Sequence, residues 1–153
     1  MEFIKLQKND IKKGLELVWE VFKEFEASEY SQQGIDEFRK FISYNDIIEK
    51  FNKGKINFWG CTSNDELIGV IATRDINHIC LLFVNKKYHR RGIAKSLFEM
   101  VKNECENQDN LSKITVNSST YAIEVYHQLG FLDIDKEQIL NGIRFTPMEY
   151  LIK

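Results

Sequence analysis

ICLLFVNKKYHRRGIAKSLFEMV, residues 79–101, decides the fold. Six apolar residues run without a break. Lys86, Lys87, His89, Arg90 and Arg91 follow, then Gly92, after which apolar residues recur at Ile93, Leu97, Phe98, Val101 and Cys105. The short run reads as a buried strand, and the three- and four-residue steps as one face of a helix. A strand feeding a glycine turn and then a helix is a general anion-binding device. The first N–H groups of the helix have no intrahelical partner, and its dipole adds positive charge. Gly92 lets the backbone approach a phosphate that a Cβ would hold away. Ala94 is the next small residue, and Arg90, Arg91 and Lys95 are placed to make charge-assisted bonds. Alone, a basic turn ahead of a helix is also what an ordinary solvated surface looks like.

Outward from this stretch the period changes mark the other elements. FIKL near the start is a short strand, and Asn9 or Asp10 can cap a helix carrying Leu15, Val18, Trp19, Phe22 and Phe25. Phe38, Phe41 and Ile42 belong to a second helical stretch that Ile47, Ile48 and Phe51 continue after a break near Ser43 to Asp46. KINFWGCT, ELIGVIAT and NHICLLFV read as three strands joined by the turn-like SND and a tight bend at Arg74-Asp75. KITVN is a strand, TYAIEVYHQLG a short helix ending at Gly130, FLDI a strand and GIRFTPMEYLI a last strand. The order β-α-α-β-β-β-α-β-α-β-β is an α/β (α+β) arrangement, a mixed central sheet of about seven strands flanked by about four helices.

At 153 residues the chain fits a single domain, residues 1–153, large enough to bury a core without metal or disulfide support. A net charge of −2 argues against a general nucleic-acid binder, so the basic turn needs a local cause. Three widely spaced cysteines, Cys61, Cys80 and Cys105, with no CxxC pair, fit reduced thiols of a cytoplasmic protein. No basic-then-apolar leader is present, and ICLLFV is far short of the roughly 20 residues that cross a bilayer. A soluble, cytoplasmic chain without membrane or nucleic-acid partners is expected.

HRRGIA, 89–94, resembles the acyl-CoA signature [Q/R]-x-x-G-x-[G/A] of the GCN5-related N-acetyltransferases (GNAT), in its usual place after the fourth strand. VNSSTYAIEVYHQLGF, 116–131, is similar to that family's downstream stretch, and NGIRFTPMEY to the ending of a subgroup of small bacterial members. The resemblance implies a GNAT fold and acetyl-CoA as cofactor. Leu82, Phe83 and Val84 would offer backbone groups to the pantetheine arm. His89, Arg90, Arg91, Gly92, Ile93, Ala94 and Lys95 would cradle the pyrophosphate, and Asn117 and the helix near Thr120 would flank the thioester. Two positions depart from the family pattern. His89 stands where Gln or Arg is usual, although an imidazole still donates one hydrogen bond. Ser119 stands where many members have Asn, and can cap the helix as well.

Acetyl transfer from a thioester to an amine needs a neutral amine, stabilisation of negative charge on the carbonyl oxygen, and a proton for the departing thiolate. In the family a tyrosine on the helix after strand five often gives that proton, which here is Tyr126. A phenol of pKa near ~10 suits the task; the alternative is a ring that only packs between helix and sheet. His78, near the start of strand four, resembles the position of a catalytic base in histone-type members, or else it is a hydrogen-bonded structural histidine. Glu26, Glu29 and Tyr30, between the first two helices, are alternatives for the base, or select a cationic acceptor, or form a solvated loop. His127 is assigned no role.

The acceptor is a small-molecule or peptide amine, weakly favouring a small one. Polyamine, amino acid, aminoglycoside, peptide N-terminus and lysine side chain stay open, as does a homodimer. Phe22, Phe25, Tyr30 and Phe38 read mostly as core, and Arg144, Phe145 and Met148 as residues that reach the acceptor pocket. Two other readings stand beside the transferase: a non-catalytic acyl-CoA-binding sensor, and a nucleotide- or phosphate-binding domain. Neither GxGxxG nor GxxxxGK[ST] occurs in the chain to support the last.

Overall fold

The computed structural model describes residues 1–152. Eight strands and five α-helices follow in the order β1 (Glu2–Lys5), α1 (Ile11–Phe25), α2 (Gln32–Phe41), α3 (Tyr44–Asn52), β2 (Ile56–Ser63), β3 (Glu66–Arg74), β4 (His78–Val84), α4 (Ile93–Glu106), β5 (Lys113–Ser118), α5 (Ile123–Leu129), β6 (Leu132–Asp133), β7 (Gln138–Leu140) and β8 (Ile143–Leu151). The expected order holds with two additions. The second helical stretch is two helices, α2 and α3, divided at Ile42-Ser43. The three-residue β7 was not expected; it pairs only with β8.

The sheet order is β1-β2-β3-β4-β5-β8-β6. Tight hairpins set its register: Asn64 and Asp65 (φ 53° and 65°) join β2 to β3, and Asp75 and Ile76 (φ 53° and 71°) join β3 to β4. Two consecutive positive φ angles match the strands' own twist. The second bend therefore sits one residue later than Arg74-Asp75, and it forces a β-branched Ile76 into the left-handed region.

Two apolar layers cover the sheet. On one face Leu15, Val18 and Phe22 of α1 and Ile47 of α3 pack on Phe58, Val70, Leu81 and Phe83. On the other, Ile93, Leu97, Phe98 and Val101 of α4, with Phe131, pack on Trp59, Ile71, Ile79 and Ile114. Side chains of β4 alternate between the two layers, and a slip in its pairing shifts that alternation. Ala72 faces Leu81 but Thr73 faces Ile79, leaving Cys80 as an extra residue. Ile79 therefore packs with α4, whereas Cys80, Leu81 and Phe83 pack with the α1 layer.

The same slip opens the sheet. Parallel strands β4 and β5 pair only at His78–Thr115 and Ile79–Val116. Beyond those two residues they diverge. Asn85 N–H donates to the Ile68 carbonyl on β3 at 2.7 Å. Alternation along the strand then turns the N–H and C=O of Leu82 and Val84 away from β3, into the gap.

Candidate active site

The gap between β4 and β5 is a cleft of about 240 Å³. Leu81, Leu82 and Phe83 line one arm and Asn117, Ser119, Ala122 and Tyr126 the other, while Glu26, Tyr30 and Phe38 enter from the helical layer above. At its outer end lies the basic turn. Gly92 caps α4 with φ 78°, and a Cβ there would meet no atom within 4 Å, so it would project into open space. Ser96 N–H, bonded to the Gly92 carbonyl at 3.0 Å, is the first amide committed to the helix. The N–H groups of Ile93, Ala94 and Lys95 precede it, and the side chains of Arg90, Arg91 and Lys95 are exposed around them. The turn suits a phosphate group: open amides, a position where a side chain would obstruct, and three exposed cations, of which Arg91 lies over the Tyr88 ring at 5.3 Å. The Ile93 side chain is buried in the core, so only its backbone faces an anion.

His89 takes a different part from the one its position suggests. Its Nε2 lies 2.7 Å from the Val84 carbonyl, and a carbonyl can only accept, so the ring's N–H is committed to the end of β4. That bond locks the turn to the strand. The Phe25 ring packs at a tilt against His89 at 5.2 Å and Tyr121 at 5.4 Å, so the end of α1 bridges the two arms. Lys86 bonds Glu24 at 2.9 Å and ties the turn to the same helix.

Glu26, one of the alternatives for the base, lies at the inner end; it is 7% exposed, at the end of α1 beneath the segment that follows β5. Burial drives its carboxyl up to about 7, against a hydrogen bond from Ser119 that favours the ionised form and reinforced by the charge of Glu29. Ser119 Oγ also accepts from Ala122 N–H at 3.2 Å in the turn ahead of α5; it does not cap the helix as expected, because the N-cap is Ala122 itself, with no side-chain cap bond. Glu29 is exposed and does not line the cleft, whereas Tyr30 does.

Tyr126 is 5% exposed, packed edge-on against Phe131 at 5.3 Å, with its ring in the core and its side chain lining the cleft. Burial, and then the charge of Glu26, hold its hydroxyl well above the ordinary phenol range, so it stays protonated. His78 also lines the cleft, but its Nδ1 is 2.8 Å from Thr115 Oγ1 across the last parallel pairing. Burial, helped by Arg74, lowers it to about 4, leaving a neutral and weakly basic imidazole.

On the acceptor side Phe22 is core, as expected, but Tyr30 and Phe38 line the cleft. The expected contributions of Arg144, Phe145 and Met148 are not found. Met148 is fully buried in the sheet, Arg144 pairs with Glu137 at 3.7 Å, and Ile143 is the β8 residue that reaches the cleft. Arg74 and Phe41 line it as well, and neither stood out beforehand. Among the described residues no helix is long and apolar enough to cross a membrane, no cluster of metal-ligating side chains occurs, and all three cysteines are free.

Known proteins place this architecture. The UPF0157 protein YqkA of Bacillus subtilis (strain 168) is 30% identical over 89 residues, 56% of this chain. The chain spans only 26% of that relative's length. The uncharacterised N-acetyltransferase YafP of Escherichia coli (strain K12) is 29% identical over 122 residues, 78% of this chain and 74% of YafP. Among solved structures, PaiA N-acetyltransferase from Thermoplasma acidophilum, in complex with coenzyme A, has the same fold, with TM-score 0.74 at 22% identity over 98% of both chains. The family model for the acetyltransferase (GNAT) domain matches residues 26–152, and the chain belongs to the GNAT acetyltransferases.

Proposed function

We propose that this chain is an N-acetyltransferase that moves the acetyl group of acetyl-CoA to a primary amine by direct attack, with Glu26 as general base and Tyr126 as general acid. The observation that carries the reading is the pairing, at the inner end of one cleft, of a buried carboxyl poised near neutrality with a protonated phenol. Acetyl-CoA is the family's cofactor, and when bound it supplies the thioester that the amine attacks. The amides of residues 92–95, with Arg90, Arg91 and Lys95, would hold the pyrophosphate. The Leu82 carbonyl and the Val84 N–H would hold the arm by strand-like hydrogen bonds, the Val84 carbonyl being taken by His89, and Leu82 N–H is available to polarise the carbonyl oxygen. Asn117 flanks the same end.

Glu26 takes the proton of the incoming ammonium at its carboxylate, and a carboxyl near 7 is a far stronger base than one in the ordinary range. Tyr126 gives its hydroxyl proton to the departing sulfur, and the phenolate it leaves takes the second proton of the attacking nitrogen as the amide forms. Its raised pKa is set partly by the negative charge of Glu26. Once Glu26 is protonated that repulsion disappears, and the phenol becomes the stronger acid when its proton is required. His78 fits the base role less well, since its depressed pKa makes it weakly basic and its Nδ1 is engaged by Thr115.

The test is free-thiol release from acetyl-CoA across a panel of amines, with calorimetric binding of acetyl-CoA alongside. Turnover on an amine supports the transferase; binding without turnover on any amine favours the sensor; no binding overturns the cleft assignment.

A further inference from the structure

Past Phe41 and Arg74 the acceptor end of the cleft continues into a second, open hollow of about 400 Å³ between α3 and the β3–β4 turn; these two residues line both spaces. Its other charged residues are Lys50, Lys53 and Lys55 against Glu49 and Asp75. The carboxylates are engaged locally, Glu49 with Lys53 at 3.4 Å and Asp75 with Arg74 at 3.5 Å. Among the described residues Lys50 and Lys55 have no acidic partner, and the Lys50 ammonium lies 4.9 Å over the Phe41 ring. Four cations against two carboxylates leave this hollow positive, on a chain whose net charge is −2. The charge reaches inward: Arg74 and Lys50 both act on the Cys80 thiol in the cleft, and Arg74 on His78. Glu26 stands within the cleft itself, so the acceptor space is polarised, with a carboxyl where the amine reacts and cations toward the far side.

Resting on the transferase reading above, we propose that the acceptor is a zwitterion, a primary amine carrying a carboxylate or phosphate group that Lys50 and Arg74 receive while the ammonium meets Glu26. A polyamine or aminoglycoside would present further ammonium groups to a cationic surface. That like-charge contact selects against them.

The test uses amines of graded chain length in three matched forms, ω-amino alcohols, ω-amino acids and ω-aminoalkyl phosphates, with spermidine as the polycation. An anionic form should show a KM about 10- to 100-fold below its alcohol, the scale of one charge-assisted hydrogen bond. Lys50→Glu should erase that advantage while leaving the KM for acetyl-CoA unchanged. Whether the amino acids or the phosphates gain more identifies the anion. Equal KM across the three forms, preference for spermidine, or an advantage that survives Lys50→Glu overturns the proposal while leaving the transferase intact. NMR-detected titration of the same compounds without acetyl-CoA separates the two claims. Anion-dependent binding that Lys50→Glu removes, with no turnover of any amine, would keep the anion site and discard the transferase. Neither binding nor turnover overturns both.

Discussion

Replacing Glu26 by Gln keeps the shape and removes the titration, so it tests the buried base in two independent ways. The first is stability. The carboxyl lies near 7 in the folded protein and in the ordinary range when unfolded. Between those values the folded chain holds a proton that the unfolded chain has released, so wild-type stability falls as pH rises through that window and levels off above it. At 1.36 kcal/mol per pH unit, the accumulated penalty is about 3 kcal/mol at pH 8 and close to zero at acid pH. Gln does not incur it. Urea unfolding should therefore show the variant and the wild type nearly equal at the acid end and the variant more stable by about 3 kcal/mol at pH 8. His78, lowered to about 4, has the opposite slope, adding stability as pH rises from about 4 towards its ordinary value. It is present in both proteins and cancels in the difference. The second readout is the pH dependence of kcat/KM. Wild type should gain activity through an apparent pKa near 7, and the variant should lose that limb and about 10²–10⁴ in rate. A variant no more stable at pH 8 would refute the burial argument; one that keeps both rate and limb would refute the base.

The other outcomes need less working. Tyr126→Phe should retain acetyl-CoA binding and lose at least about 10-fold in turnover, a minimum for a removed general acid; unchanged turnover would end that assignment. His78→Gln should leave the limb near 7 in place, because its pKa lies far below it; a vanished limb would transfer the base role to the imidazole. Gly92→Glu sets a negative side chain into the open space over the helix start and should abolish calorimetric binding of acetyl-CoA, with unchanged circular dichroism as the folding control. Retained affinity would discredit the phosphate cradle. Ile76→Gly should stabilise by about 1 kcal/mol, since Ile76 is exposed and holds a left-handed backbone that costs an L residue roughly that much or more. A loss of stability would mean that its side chain matters more than its strain.

What could be read beforehand was local. Gly92 ahead of one helical pattern and Gly130 at the end of another, both left-handed, mark boundaries that the sequence shows. The apolar steps of α1 and α4 predict the faces that became the two layers. Non-local facts stayed hidden. Three residues, Gln138 to Leu140, are too few for a period, and β7 exists because β8 offers it an edge. Glu26 stands in its stretch as one alternative among several because nothing adjacent hides it; Ser119, which lowers its pKa, is far away along the chain. His89 matched a motif by position, yet its partner proved to be the Val84 carbonyl. Arg74 and Lys50 carried no local pattern and became notable only when β3 and α3 met around one hollow.

The slip at Cys80 has a bearing on how such a protein can diverge. The opening between β4 and β5 is written in the count of residues along a strand, and a count is indifferent to which side chains are counted. Drift at Phe38, Phe41 or Arg74 changes the wall of the cleft away from the slip, whereas deleting one residue near Cys80 would remove the extra residue that makes the slip. Substitution and deletion therefore face different tolerances here. The slip is set by chain length and the walls of the cleft by side chains, so the walls can vary while the opening is kept.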